Sequence, residues 1–227
     1  DTLLLDEEMS RVDVWGWEDT RLQPMQLKRL KEDKEKSSVT LYLIGQKKLV
    51  QSVSADINYQ IDTKANHAHM LGTNNEPYQL INSWDLGHAD VYLLNVNTGE
   101  QKLIAKDLQG RAQLSPTGKY VVWFDQVSAT WVSYETKSGK ISPLTKDLGV
   151  AFQDEDHDSP SLASPYGSMG WSEEDKYFMV YDRYDVWQLD PLMKERPALL
   201  TNGYGRKNKI RLRYAKLDQE ARFISQN

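Results

Sequence analysis

Four carboxylates crowd one short stretch of the chain: Asp154, Glu155, Asp156 and Asp158, within Phe152-Gln153-Asp154-Glu155-Asp156-His157-Asp158-Ser159-Pro160. Asp-x-Asp-x-Asp suggests calcium, because hard cations take clustered oxygens. The rest of a calcium loop is missing. Ser159 stands where glycine is needed and Pro165 where the bidentate glutamate belongs. Charges this close must be relieved by solvent, by a cation or by basic side chains. The stretch therefore reads either as a solvated or arginine-paired loop, or as a loop facing a substrate chamber, where it attracts a cationic peptide end.

Other groups carry weaker chemistry. His67 and His69 alternate along a strand and could begin a metal site, but a catalytic zinc wants three protein ligands. His88 and His157 add no supporting spacing, so no metal is assigned. Gly167-Ser168-Met169-Gly170 approaches a nucleophile elbow but lacks the Gly-x-Ser-x-Gly spacing and precedes a strand. Lys207, Lys209, Arg211 and Arg213 fall at period two opposite Asn208, Ile210, Leu212 and Tyr214. That pattern predicts a strand with a basic outer face, either an edge protected against strand addition or a surface for an anionic partner.

The elements that must position these residues come from a repeat. Leu114-Ser115-Pro116-Thr117-Gly118-Lys119-Tyr120-Val121-Val122-Trp123-Phe124-Asp125 pairs a turn with the strand it launches. Gly170-Trp171-Ser172-Glu173-Glu174-Asp175-Lys176-Tyr177-Phe178-Met179-Val180-Tyr181-Asp182 repeats it: turn, Lys-Tyr, three apolar or aromatic residues, an aromatic and Asp. A second element recurs in step. Asp90–Glu100 and Thr130–Lys140 each run a strand into a glycine turn, while Asp185–Pro191 replaces that glycine with proline. Closing strands follow at Leu103–Asp107, Leu144–Asp147 and Leu199–Asn202. A repeat of this size predicts an all-β chain, a partial β-propeller of four-stranded antiparallel blades. Whole blades are expected at about 55–107, 109–147 and 168–202. Half blades are expected near 39–53, as a hairpin turning at Gly45-Gln46, and near 210–225. Trp123, Trp131, Trp171 and Trp187 are expected in the core and between blades.

Residues 1–38 stand apart as an extended segment and one short amphipathic helix, with Pro24 in its first turn, ahead of the propeller at 39–227. Lys28/Glu32 and Glu32/Lys36 have the spacing of helical ion pairs. Of 227 residues, 39% are hydrophobic and 27% charged, a globular composition. The net charge of −5 argues against a nucleic-acid partner. No apolar run is long enough for a membrane helix. Residues 1–12 lack the basic start and apolar centre of a signal peptide. The absence of cysteine excludes disulfides and thiolate chemistry.

Val14-Trp15-Gly16-Trp17-Glu18-Asp19, followed by Leu22-Gln23-Pro24-Met25-Gln26, resembles a segment of bacterial prolyl oligopeptidase family serine peptidases of the dipeptidyl or acylaminoacyl peptidase type. Phe152–Pro160, Tyr181-Asp182-Arg183-Tyr184-Asp185-Val186-Trp187 and Leu200-Thr201-Asn202-Gly203-Tyr204-Gly205-Arg206-Lys207-Asn208 resemble the same group. The resemblance covers nearly the whole chain. It implies a non-catalytic propeller that gates and positions peptides for a C-terminal α/β-hydrolase domain, absent from this chain, in a periplasmic or secreted bacterial protein. It implies no cofactor. No catalytic residue carries over, since the chain has neither the elbow nor the strand–helix alternation of a hydrolase sheet. Some relatives grip a peptide amino terminus with paired glutamates. Glu7-Glu8 and Glu173-Glu174 are adjacent pairs, and neither is assigned that role. Two alternatives stay open: a protein-interaction propeller without a peptidase domain, and part of a sugar-active propeller enzyme. Either way, open propeller ends predict self-association.

Overall fold

The computed structural model describes residues 12, 14–51, 54–85 and 87–225; Glu7-Glu8 lies outside them. Helix α1, Gln23–Lys34, precedes a hairpin of β1 (Thr40–Leu43) and β2 (Lys48–Gln51). Three four-stranded antiparallel meanders follow. The first contains β3 (Asn58–Tyr59), β4 (His69–Asn74), β5 (His88–Asn95) and β6 (Gln101–Gln109). The second contains β7 (Gln113–Leu114), β8 (Tyr120–Asp125), β9 (Thr130–Glu135) and β10 (Ile141–Pro143). The third contains β11 (Ser168–Trp171), β12 (Phe178–Tyr181), β13 (Val186–Leu189) and β14 (Ala198–Leu199). Each sheet pairs its strands in chain order. This is a partial β-propeller: a row of blades with no sheet closed on itself.

Strand alternation explains why the blades stack. Side chains on β8 point to opposite faces in turn. Val121 and Trp123 enter a core shared with Leu71, Val91 and Leu93 of the first blade. Val122 and Phe124 enter one shared with Trp171, Phe178 and Val180 of the third. Both faces are buried, so the strand reads as a continuous apolar run. The second seam is aromatic. Trp131 meets Phe178 edge-on at 5.2 Å between centroids, and Tyr120 stacks on Trp171 at 5.8 Å. The hairpin packs through Val39 and Leu41 on Ile57, Tyr59 and Leu94 of the first blade.

Four expectations need correction. The second blade closes with Ile141–Pro143, and Leu144–Asp147, expected as that strand, is a turn. Lys207–Tyr214 forms no strand. Tyr204–Asn208 is a short helix, α2, and Lys209 takes a left-handed φ of 55° that ends it. The N–H groups of Gly205 and Arg206 bond the Asp185 carboxylate, which favours a turn over an extended chain. The segment then runs along the third blade and makes one parallel bridge, Ile224 to Ser172. On α1, the ion pairs differ from the i,i+4 set. Arg29 pairs with Glu32, while Lys36 reaches Asp56 at 2.6 Å. Finally, α1 buries none of its residues; Met25, Leu27 and Leu30 are exposed.

Candidate functional site

Antiparallel pairing brings the end of β12 and the start of β13 together with the start of β11 and the end of β14. At this end of the third blade, Asp182 leaves β12 and turns the chain. Its Oδ1 accepts the N–H groups of Tyr184 and Asp185, both at 2.7 Å. Its Oδ2 accepts the Trp187 indole N–H at 3.0 Å and an Arg206 N–H at 3.2 Å. The side chain is 1% exposed. Burial alone would raise its pKa. The N–H of Asp185, the indole of Trp187, the N–H of Tyr184 and the Arg206 guanidinium outweigh burial and hold it below 3.8.

Asp185, equally buried, organises the next segment. It accepts the Thr201 hydroxyl at 2.6 Å and the N–H groups of Gly205 and Arg206 at 2.8 and 2.9 Å. Gly205 is required here, since a Cβ would lie 2.7 Å from the Tyr184 carbonyl oxygen. Arg213 folds back to donate to the carbonyls of Asp182 and Arg183 at 3.1 and 3.3 Å, with its guanidinium 4.5 Å from the Tyr181 ring centre. Arg206 and Arg183 lie 5.4 and 5.6 Å from the Tyr184 ring centre.

The acidic loop reaches this nest. Phe152, 1% exposed, anchors it in the core between blades. Gln153 bridges to Pro165, and Tyr166 offers its hydroxyl oxygen to the Glu155 N–H at 2.9 Å. Asp154 accepts the Asp156 N–H at 3.1 Å. Asp156 accepts from Arg183 at 2.7 Å and lies 3.9 Å from Arg211. Glu155 and Asp158 are exposed, and among the described residues their carboxylates have no partner. The loop thus contains an arginine-paired carboxylate at its centre and free carboxylates beside it. Among the described residues no group of three or more acidic or histidine side chains could hold a metal ion.

His157 in this loop contacts Ser159 and Ser161 hydroxyls at 3.1 and 3.2 Å, but its Nε2 also lies 2.8 Å from the Ser161 carbonyl oxygen. A nitrogen donating to that carbonyl cannot also take a proton from serine. Ser168 opens β11 rather than a strand-to-helix turn, so it has no elbow geometry.

The remaining sequence candidates lie elsewhere. Glu173 and Glu174 form the β11–β12 turn, where Glu174 approaches Lys119 at 3.6 Å. His67 precedes β4 and accepts the His69 N–H at 3.3 Å; burial lowers both imidazoles' pKa values. His88, weighed in the sequence only as a metal ligand, is instead a buried ion-pair centre. It is 8% exposed and flanked by Asp107 at 2.6 Å and Asp85 at 3.2 Å. Nearby, Tyr78 donates to buried Asp90 at 2.6 Å, and its pKa is raised to about 12, first by burial and then by that bond. The only available signal was the spacing of Asp85, His88 and Asp90 around the start of a strand.

No family model matches the chain, and no curated protein matches it. Among the described residues no helix is long and apolar enough to cross a membrane. Solved structures similar to the chain include TolB from Acinetobacter baumannii, at 11% identity and a TM-score of 0.36. The likeness covers 72% of this chain and 37% of that one, so the chain spans well under half of that structure's length.

Proposed function

We propose that this chain is the non-catalytic propeller portion of a prolyl-oligopeptidase-like serine peptidase, gating peptides and positioning them for a hydrolase domain. One observation carries the reading. Three of the segments with the family resemblance, Asp154–Asp158, Tyr181–Trp187 and Leu200–Asn208, meet in one network at the end of the third blade. Such a surface offers the exposed carboxylates of Glu155 and Asp158 to a peptide's cationic end. Chemistry belongs to the partner domain, and the setting is periplasmic or secreted. The reading frame beyond Asn227 is the test. A hydrolase domain bearing Gly-x-Ser-x-Gly, with activity on aminoacyl- or dipeptidyl-nitroanilides, supports the reading. A stop codon soon after Asn227 overturns it.

The same reading makes the outer faces of the first and last blades contact surfaces in the parent. Tyr42, Ile44 and Leu49 of the hairpin are 59%, 82% and 60% exposed. Isolated, the chain self-associates through such a face. Light scattering over a dilution series checks this, and a monomer at every concentration refutes it.

A further inference from the structure

A groove of about 630 Å³ lies between the hairpin and the inner strands of the first two blades. Its walls are mixed, apolar at Leu41, Leu43, Met70 and Leu114 and polar at Gln60, Asp62 and Gln113. Strand β7 runs along it. As the end strand of its sheet, β7 pairs only with β8, so among the described residues its other side has no strand partner. An unpartnered strand side is a template for an added extended chain.

The charges in the groove are unequal. Asp62 is already engaged: Arg222 donates to it at 2.9 Å, and its other oxygen accepts the Lys64 N–H at 2.9 Å. The imidazoles of His67 and His69 are held below their ordinary pKa by burial and carry little charge at neutral pH. Arg111 is different. It sits two residues before β7, exposed, with neither an ion pair nor a hydrogen bond from its side chain among the described residues. A strand added antiparallel to β7 would bring its C-terminal end to Arg111, whereas a parallel one would bring a cationic amino terminus there. A guanidinium there matches a terminal carboxylate through two parallel N–H bonds.

We propose that this groove binds a short extended peptide, antiparallel to β7, by its free C-terminal carboxylate, with β7 supplying backbone bonds, the apolar part of the walls holding side chains and Arg111 gripping the carboxylate. The volume suits a ligand of a few residues. The choice of a peptide rests on the function proposed above; the anionic group and its place do not.

Fluorescence polarisation with a labelled Ala-Val-Leu-Ala peptide tests this, using the free acid and the C-terminal amide. The acid should bind at least about tenfold more tightly than the amide, the order expected for a charge-assisted pair. Arg111→Ala should reduce the acid to the amide's affinity, Arg111→Lys should restore part of it, and Arg211→Ala should leave it unchanged. Arg111 supports no other group, so its variants should melt like the parent chain. Equal binding of acid and amide, or full binding by Arg111→Ala, overturns the proposal. So does loss of binding in Arg211→Ala alone, but that result places the peptide at the arginine nest and leaves the peptide-handling function standing. Absence of binding by either peptide also overturns the groove, while the peptidase reading is decided separately by the sequence and activity beyond Asn227.

Discussion

The second and third blades use one turn in two ways. In each, a serine closes the turn on itself: Ser115 Oγ accepts the Tyr120 N–H at 3.0 Å, and Ser172 Oγ accepts the Tyr177 N–H at 2.9 Å. The third residue after the serine needs a left-handed φ, 73° at Gly118 and 58° at Asp175. In both blades this position faces the preceding blade. At Gly118 a Cβ would lie 2.6 Å from the His67 ring, so glycine is the residue that fits. At Asp175 there is room, and the buried carboxylate accepts both the N–H and the hydroxyl of Thr117 in the second blade. The same repeat position serves close approach in one seam and a polar clamp in the other.

The strand that follows ends in a second matched position. Asn74, Asp125 and Asp182 each accept the N–H two residues on, at 2.9, 3.1 and 2.7 Å. In the first blade the residue is neutral. In the second it sits in an open turn, beside Val127 at 84% exposure. In the third it is buried among four donors and carries the arginine nest. The repeat fixes an Asx turn; what arrives from the neighbouring loop and from α2 makes one copy a candidate site.

The largest expected effect separates these copies. Asp182→Ala leaves two N–H groups, an indole and a guanidinium without their acceptor. We expect it to cost about 3 kcal/mol or more, as removing one partner of a buried charged network does. Asp125→Ala removes two exposed local turn bonds, from the Val127 N–H and the Ser128 hydroxyl, and should stay within about 1 kcal/mol. Urea denaturation of both variants measures this, and equal midpoint shifts would break the comparison.

Exchanging the turn residues gives the next effect. Gly118→Asp puts a side chain into the His67 ring and should destabilise by about 1–3 kcal/mol. Asp175→Gly leaves the Thr117 N–H and hydroxyl without their acceptor and should cost about 1–2 kcal/mol. Calorimetric melting of each variant, and of Gly118→Asp combined with His67→Ala, sharpens the point. Removing the ring should recover much of the first loss; no recovery would mean that backbone strain, not contact, excludes aspartate.

These copies also define what the sequence could and could not reveal. The blades were legible because strand, turn and aromatic spacing are local. Tyr120–Phe124 had to be buried on both faces once it was read as a strand. The arginine-paired reading of Asp154–Asp158 needed only the density of charge, although naming Arg183 and Arg211 as partners needed the fold. The basic stretch from Lys207 to Arg213 misled because period two is also produced by an irregular chain packed along a blade. What decides it is Asp185, about twenty residues upstream, capturing the N–H groups of Gly205 and Arg206. Likewise nothing near Gly118 in sequence announces His67, which faces it from another blade. Long-range side-chain contacts choose between local structures that the sequence alone leaves equally plausible.

The smallest effect is a difference in pH dependence between blades. Asp182 in the third blade has its folded pKa lowered below 3.8. Its contribution to stability is therefore present above the unfolded value and is lost as pH falls through the folded one. His88 in the first blade is the opposite case. Burial alone would lower its pKa, but hydrogen bonds and charges from Asp107 and Asp85 raise it above 6.5. Its contribution is complete below the unfolded value and is lost as pH rises through the folded one. Urea midpoints for the parent chain, Asp182→Asn and His88→Gln across pH 3 to 9 should separate the two limbs. The gap between parent and Asp182→Asn should be constant near neutrality and shrink on the acid side. The gap between parent and His88→Gln should be widest below pH 6.5 and close as the pH rises. Two gaps that close on the same limb would show that one network, rather than two separate blade ends, governs both groups.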